Sequence, residues 1–179
     1  MQSSLPKALG NDLRRVVGDD WVLTEPDRLL AYESDGLTAY RMLPGAVVLP
    51  KDTDEVSRVL RLLSEAGVTV VPRGAGTGLS GGALAGADSV MIGTARMKRI
   101  IEVDPVNRLA LVQPGVVNAD LSAAAAPFDL YYAPDPSSQS ACTLGGNVAE
   151  NSGGPHCLKY GVTSRYVTLA AVPASPPAE

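Results

Sequence analysis

Val71-Pro72-Arg73-Gly74-Ala75-Gly76-Thr77-Gly78-Leu79-Ser80-Gly81-Gly82-Ala83 sets five glycines and two hydroxyls behind one arginine, directly after the apolar run Val68-Thr69-Val70-Val71. Within it, Gly76-Thr77-Gly78-Leu79-Ser80-Gly81 matches G-x-G-x-x-G, the spacing of a dinucleotide fingerprint. That fingerprint has to open a helix whose N-terminus holds the pyrophosphate. Here the chain runs on through Gly82 and Gly86 toward Val90 without a helical face, and no acid closes a following strand. The Rossmann reading therefore fails. A Walker loop fails too, because no Gly-Lys-Ser/Thr occurs. The loop still suits an anion. Consecutive amides can turn inward as a nest around phosphate oxygens, and glycine permits both positive φ and a close backbone approach. Thr77 and Ser80 add hydroxyl donors, and Arg73 adds charge. On composition alone an ordinary surface loop stays open as the alternative.

Outward from the loop, the pattern is that of alternating helices and strands. Leu5, Ala8, Leu9, Leu13, Val16 and Val17 recur at helical spacing, so a helix is predicted over 5–17. Gly45 to Pro50 reads as a short buried strand. A helix follows, with Asp52 and Glu55 at capping-box spacing, Val56, Val59, Leu60 and Leu63 on one face, and Gly67 as its stop. Val68 to Val71 completes a β-α-β unit over 46–71, and Ser89-Val90-Met91-Ile92 is the next strand. Residues 100–104 and 108–112 flank Pro105-Val106-Asn107 as a hairpin. Asn118 is positioned to cap a short helix that runs to Ala126 and ends at Pro127. Residues 133–156 show no extended periodic pattern, Val167 to Val172 is a last apolar run, and 173–179 reads as a disordered tail. The class is α+β or α/β, with no internal repeat.

The 179 residues suit one globular domain with a real core, resting on aliphatic side chains because aromatics make up only 4%. A net charge of −4 argues against a nucleic-acid partner and leaves any anionic ligand to local donors. No apolar run approaches the length of a membrane span, and the first residues lack the order of a secretion signal. Two cysteines, Cys142 and Cys157, make neither a disulfide framework nor a metal quartet, so a reducing cytoplasm is expected.

A second dense segment follows: Pro134-Asp135-Pro136-Ser137-Ser138, then Cys142-Thr143-Leu144-Gly145-Gly146-Asn147-Val148-Ala149-Glu150-Asn151-Ser152-Gly153-Gly154. For the Gly145–Gly154 run, a structural turn remains the plain alternative. Together with YESDGLTAYR (32–41), VVLPK (47–51), PRGAGTGLSGGAL (72–84), VQPGV (112–116) and CTLGGNVAENSGGPHCLKYGVT (142–163), these segments resemble the PCMH-type FAD-binding domain of the vanillyl-alcohol oxidase superfamily. Within it they are most similar to the group of the glycolate oxidase D subunit and the D-lactate and D-2-hydroxyglutarate dehydrogenases.

That resemblance implies an α+β domain of two small subdomains with FAD extended between them. Arg73, Gly74, Ala75, Gly76, Thr77, Gly78, Ser80 and Gly81 would wrap the pyrophosphate. Pro134, Asp135 and Ser138 would lie near the cofactor's middle, and Gly145, Gly146, Asn147, Asn151 and Gly153 would line the flavin. Thr77 stands where some relatives carry a histidine bonded covalently to FAD, so noncovalent binding is expected. The implied activity is oxidation of a small 2-hydroxy acid by hydride transfer from C2 to flavin. The implied partners are an iron–sulfur subunit and a second FAD-domain subunit, which would hold a cytoplasmic protein at the periphery of the inner membrane. A metal site from the lone His156 and its neighbour Cys157 lacks ligands. A hydrogen-bonded structural role suits that histidine best.

The resemblance also sets expectations for extent: an N-terminal helical extension over 1–40, the FAD domain over 41–172, and the tail over 173–179. The family continues into a substrate-cap domain that brings a metal site, a base and a substrate-gripping arginine. Those parts are absent, so catalytic residues stay unassigned and no metal is expected. The chain is expected to be incomplete at its C-terminus: a truncation, a frameshifted end or an excised fragment. A non-catalytic FAD-binding fragment and an inactive remnant are the competing readings.

Overall fold

The computed structural model describes residues 5–168 and 170. The chain forms two compact units. One is built from the residues up to Arg73 together with Gly78–Arg96, the other from Gly74–Thr77 together with Met97–Ala170.

The first unit holds helix α1 (Lys7–Val17), strand β1 (Val22–Leu23), helix α2 (Pro26–Leu29), strand β2 (Ala46–Val48), helix α3 (Thr53–Glu65), strand β3 (Thr69–Arg73) and strand β4 (Ser89–Gly93). The sheet order is β1-β2-β4-β3, with β1 antiparallel to β2 and the other pairs parallel. The expected β-α-β unit is therefore present, but β4 lies between its two strands. Burial explains the order. Every residue of β2 and β4 is buried, as strands covered on both faces must be, whereas β3 is partly exposed and takes an edge.

One face of the sheet packs Val22, Ala46, Val48, Val90 and Ile92 against Leu9, Leu13 and Val17 of α1 and Val59 and Leu63 of α3. The other packs Leu23, Val47 and Met91 against Leu29, Leu49 and Ala85. Each such valine, leucine, isoleucine or methionine side chain taken fully out of water stabilises the unit by about 1.5–3 kcal/mol. The first forty residues, set apart in the sequence reading as an extension, thus supply α1, α2 and the antiparallel edge strand of this unit.

At the start of α3, Asp52 Oδ1 accepts from the Glu55 amide at 2.9 Å, as its spacing predicts. The return half of the box differs. Glu55, 3% exposed, accepts from the Lys51 amide at 2.8 Å, one residue before the cap, and its carboxylate meets Lys51 Nζ at 3.1 Å. After β3 no helix opens before β4, in keeping with the failed Rossmann reading.

The second unit holds the hairpin β5 (Ile100–Asp104) and β6 (Leu109–Val112), then helices α4 (Asn118–Ala125), α5 (Leu144–Glu150) and α6 (Cys157–Tyr160). Val116, Leu121 and Leu144 form its core with Ile100, Val112 and Tyr132. The hairpin turn is set by Asp104, whose carboxylate accepts from the amides of Val106 and Asn107, each at 3.0 Å.

One expectation is corrected here. Asn118 does not cap α4. Val117 takes the extended cap conformation, and Asn118 turns its side chain inward to the Pro134 carbonyl at 3.0 Å. The stretch 133–156, which shows no extended periodic pattern in sequence, contains the seven-residue α5, capped by Thr143 and closed by Asn151 in the left-handed conformation. Among the described residues no helix is long and apolar enough to cross a membrane. Of the apolar run 167–172, positions 169, 171 and 172 lie outside the described residues, as does all of 173–179.

Candidate functional site

In the second unit the two glycine-rich segments touch. A methyl on Gly74 would collide with the Thr143 hydroxyl and come within 3.5 Å of the Gly146 backbone. The Gly74–Thr77 run therefore lies directly on the first turn of α5, and only a residue without a side chain allows that approach. Gly76, with φ of 71°, turns the run through a conformation that L side chains rarely adopt. Ala75 is exposed. At the end of the run the Ser138 hydroxyl donates to Thr77 Oγ1 at 3.4 Å.

Beneath that contact, residues 114–119 hold the second glycine segment in place. The amide of Gly145 donates to Pro114 O at 2.8 Å, that of Leu144 to Val116 O at 2.9 Å, and that of Asn118 to Cys142 O at 3.0 Å. Thr143 Oγ1 accepts from the Gly146 amide at 3.4 Å. Asn147, on the next turn of α5, is 1% exposed, and its Nδ2 has no hydrogen-bond partner among the described residues.

Asp135 meets His156 Nδ1 through its carboxylate at 2.5 Å. This hydrogen bond holds the Asp135 carboxyl below the usual carboxylate range. Beside His156, Lys159 lies over the Tyr160 ring at 4.7 Å. A hydrogen bond from Tyr131 and the lysine charge together hold the Tyr160 phenol below its ordinary value.

Not every expected residue joins this assembly. Asn151 closes α5, and its Oδ1 accepts from the Ser164 amide at 2.9 Å. Gly153 packs against Val162 and Cys157. Arg73, Gly78, Ser80 and Gly81 belong to the first unit. There the Arg73 guanidinium, 9% exposed, donates to Ser34 O at 2.9 Å and lies 5.6 Å from the Tyr32 ring centre. Burial pushes its pKa down, while Tyr32 and Asp35 oppose that shift. The Gly81 amide donates to Asp35 Oδ2 at 3.0 Å, and Gly78 O accepts from the Gly36 amide at 2.9 Å. This part of the loop is thus tied down by residues 34–36. Sequence reasoning missed Asp35 as the acceptor, although it stands in the quoted segment YESDGLTAYR. Asn118 was noticed for a different task.

The profile of the FAD binding domain family matches residues 44–172. The chain belongs to that family. FAD is the cofactor the family membership supports. Among relatives of this FAD binding domain, glycolate oxidase subunit GlcD of Escherichia coli (strain K12) is 56% identical over 142 residues, 79% of this chain and 28% of that protein. D-2-hydroxyglutarate dehydrogenase of Stutzerimonas stutzeri (strain A1501) is 36% identical over 160 residues, 89% of this chain and 34% of that protein. A solved structure of alkyldihydroxyacetonephosphate synthase superposes with a TM-score of 0.81 at 22% identity, covering 90% of this chain and 32% of that one, and bears on the fold alone. The chain thus spans about a third or less of the length of these proteins.

The residues present fit such a cofactor. The Gly74–Thr77 run is seated where only a glycine backbone fits, Thr77 and Ser138 place hydroxyls beside it, and Asn147 offers a buried donor that nothing in the described chain answers. Buried polar atoms in native proteins are almost always bonded to protein, water or ligand, so an unanswered donor at this position points to a missing partner.

Proposed function

We propose that this chain holds FAD noncovalently through Gly74–Thr77, Ser138 and the Gly145–Asn147 turn, as part of an oxidoreductase of small 2-hydroxy acids. The observation that carries the reading is the seating of Gly74 on Thr143 and Gly146. It joins the two segments whose amides and hydroxyls suit a diphosphate and a flavin ring. Around a dianionic linker, neutral backbone donors stabilise charge without a strongly positive surface, consistent with a chain of net charge −4. Thr77 cannot form the histidyl–flavin bond, so retention rests on these contacts alone.

Bound FAD would supply the redox chemistry, accepting a hydride from C2 of the hydroxy acid. The chain's own residues bind and orient it. Thr77 and Ser138 fix the end of the loop, Thr143 fixes the first turn of α5, and Pro134 and Asp135 lie on the segment that carries Ser138. Arg73 anchors the loop where it leaves β3. Support for a glycolate or related substrate comes from the relatives named above, and the name of GlcD as a subunit supports a multi-subunit assembly; iron–sulfur and second FAD-domain partners at the periphery of a membrane are carried over from the family resemblance alone.

Purified chain mixed with FAD and passed through a desalting column tests the reading. Retained flavin absorbance that acid precipitation releases is expected. Reduction of a dye by glycolate or D-lactate then supports catalysis by this chain. Flavin retention without reduction assigns turnover to a longer polypeptide. A colourless protein overturns the proposal.

A further inference from the structure

Asn118 is 1% exposed, and the second unit makes use of both its backbone and its side chain. Its backbone amide donates to Cys142 O, and the following amide of Ala119 donates to Gln139 O, both at 3.0 Å. Its side-chain Nδ2 donates to Pro134 O at 3.0 Å. The 134–142 segment, which carries Pro134, Asp135 and Ser138, is thus gripped at both ends from the start of α4. At its middle the Ser138 hydroxyl reaches Thr77. The remaining polar atom, Asn118 Oδ1, is buried with no partner among the described residues. An apolar side chain of the same branching would bury no unanswered carbonyl, so packing alone does not account for an amide here.

We infer that Asn118 is a positioning residue for FAD: its amide fixes the Pro134–Ser138 segment against the Gly74–Thr77 run, and it acts on the cofactor through Pro134 and Ser138 without touching it. The inference rests on the FAD reading above and adds a residue on a helix that no glycine-rich motif marks.

The test compares Asn118→Leu with a control on the same helix. Ser122 also ties α4 to the following segment, its Oγ accepting from the Tyr132 amide at 3.2 Å, but it holds nothing that reaches Thr77. FAD affinity is read by flavin fluorescence, the bound ring's surroundings by visible circular dichroism, and stability by melting of the FAD-free protein. N118L is expected to weaken the Kd about tenfold, the scale of one hydrogen bond's worth of ordering, and to change the visible dichroism. Ser122→Ala is expected to lower the melting temperature with a Kd within about twofold of the parent, since one lost surface-helix contact does not reorder the 134–138 segment. Equal loss of affinity in both variants, or parental affinity and dichroism in N118L, overturns the inference. Failure of the unaltered chain to bind FAD removes the underlying reading and this inference with it, and is told apart because the parent itself is then colourless. Should N118L not fold, the unaltered 15N-labelled chain decides. Slower exchange of the Asn118 side-chain amide protons on adding FAD supports the inference, and unchanged exchange overturns it.

Discussion

At Gly74 a single methyl group is the most sensitive probe of the meeting between the two glycine segments. Gly74→Ala would drive a Cβ into the Thr143 hydroxyl, in contact with the backbone of Gly146. Overpacking of this kind costs about 1–3 kcal/mol, so the melting temperature should fall and FAD affinity should drop with it. Thr143→Ala in the same chain should restore part of the loss, because the hydroxyl is the nearest obstacle, and a double-mutant cycle measures that coupling. Additive losses would mean that the loop is not seated on Thr143. Asp135 offers a second probe. The hydrogen bond from His156 lowers its pKa, so the stability it contributes is present above the unfolded carboxylate value of about 3.9 and is lost as pH falls through the lower folded value. His156→Ala should move the Asp135 midpoint up toward the ordinary value, as followed by carboxyl NMR titration. At this scale the sequence marked the glycines and hydroxyls well, since few side chains suit such a loop. It misassigned Asn118, because a residue at a helix start is read by its local partners, and the partner here, Pro134, is sixteen residues away.

Elements with a strong local signature were legible from their own residues. α3 announces itself through Asp52, its apolar face and Gly67, and Asp52→Ala should cost about 1 kcal/mol of stability, seen as a lower thermal midpoint with unchanged FAD affinity. β2 and β4 are legible because strands buried on both faces are apolar throughout. α5 was not. Its sequence, LGGNVAE, carries two glycines in its first turn that oppose helix formation, and only Thr143 before it and Asn151 after it mark its ends. The segments β1, α2 and α6 are two to four residues long, too short for any period to show.

Across the whole molecule, the glycine loop is continuous in sequence yet divided in space. Arg73 ends a strand of the first unit, Gly74–Thr77 belongs to the second, and the chain rejoins the first at Gly78. Each part is tied down by residues distant in sequence: Gly81 by Asp35, and Gly74 by the Thr143 turn. Motif reading treated the loop as one object because it has no means of counting units. The sheet order shows the same limit. Chain order makes β2 and β3 look like neighbours, but β4, buried along its full length like β2, lies between them and leaves the partly exposed β3 at the edge.

The linear order of residues was enough to establish the family, the two glycine-rich segments, and the principal helices and strands. These depend on neighbours within a few positions, where backbone preference, periodicity and capping act. The seating of Gly74 on Thr143, the hold of Asn118 on Pro134, the central place of β4 and the sharing of one loop between two units emerged from the folded chain. They come from packing between segments about sixteen to seventy positions apart or from burial on both faces at once, and no local preference encodes which distant surface a residue will meet.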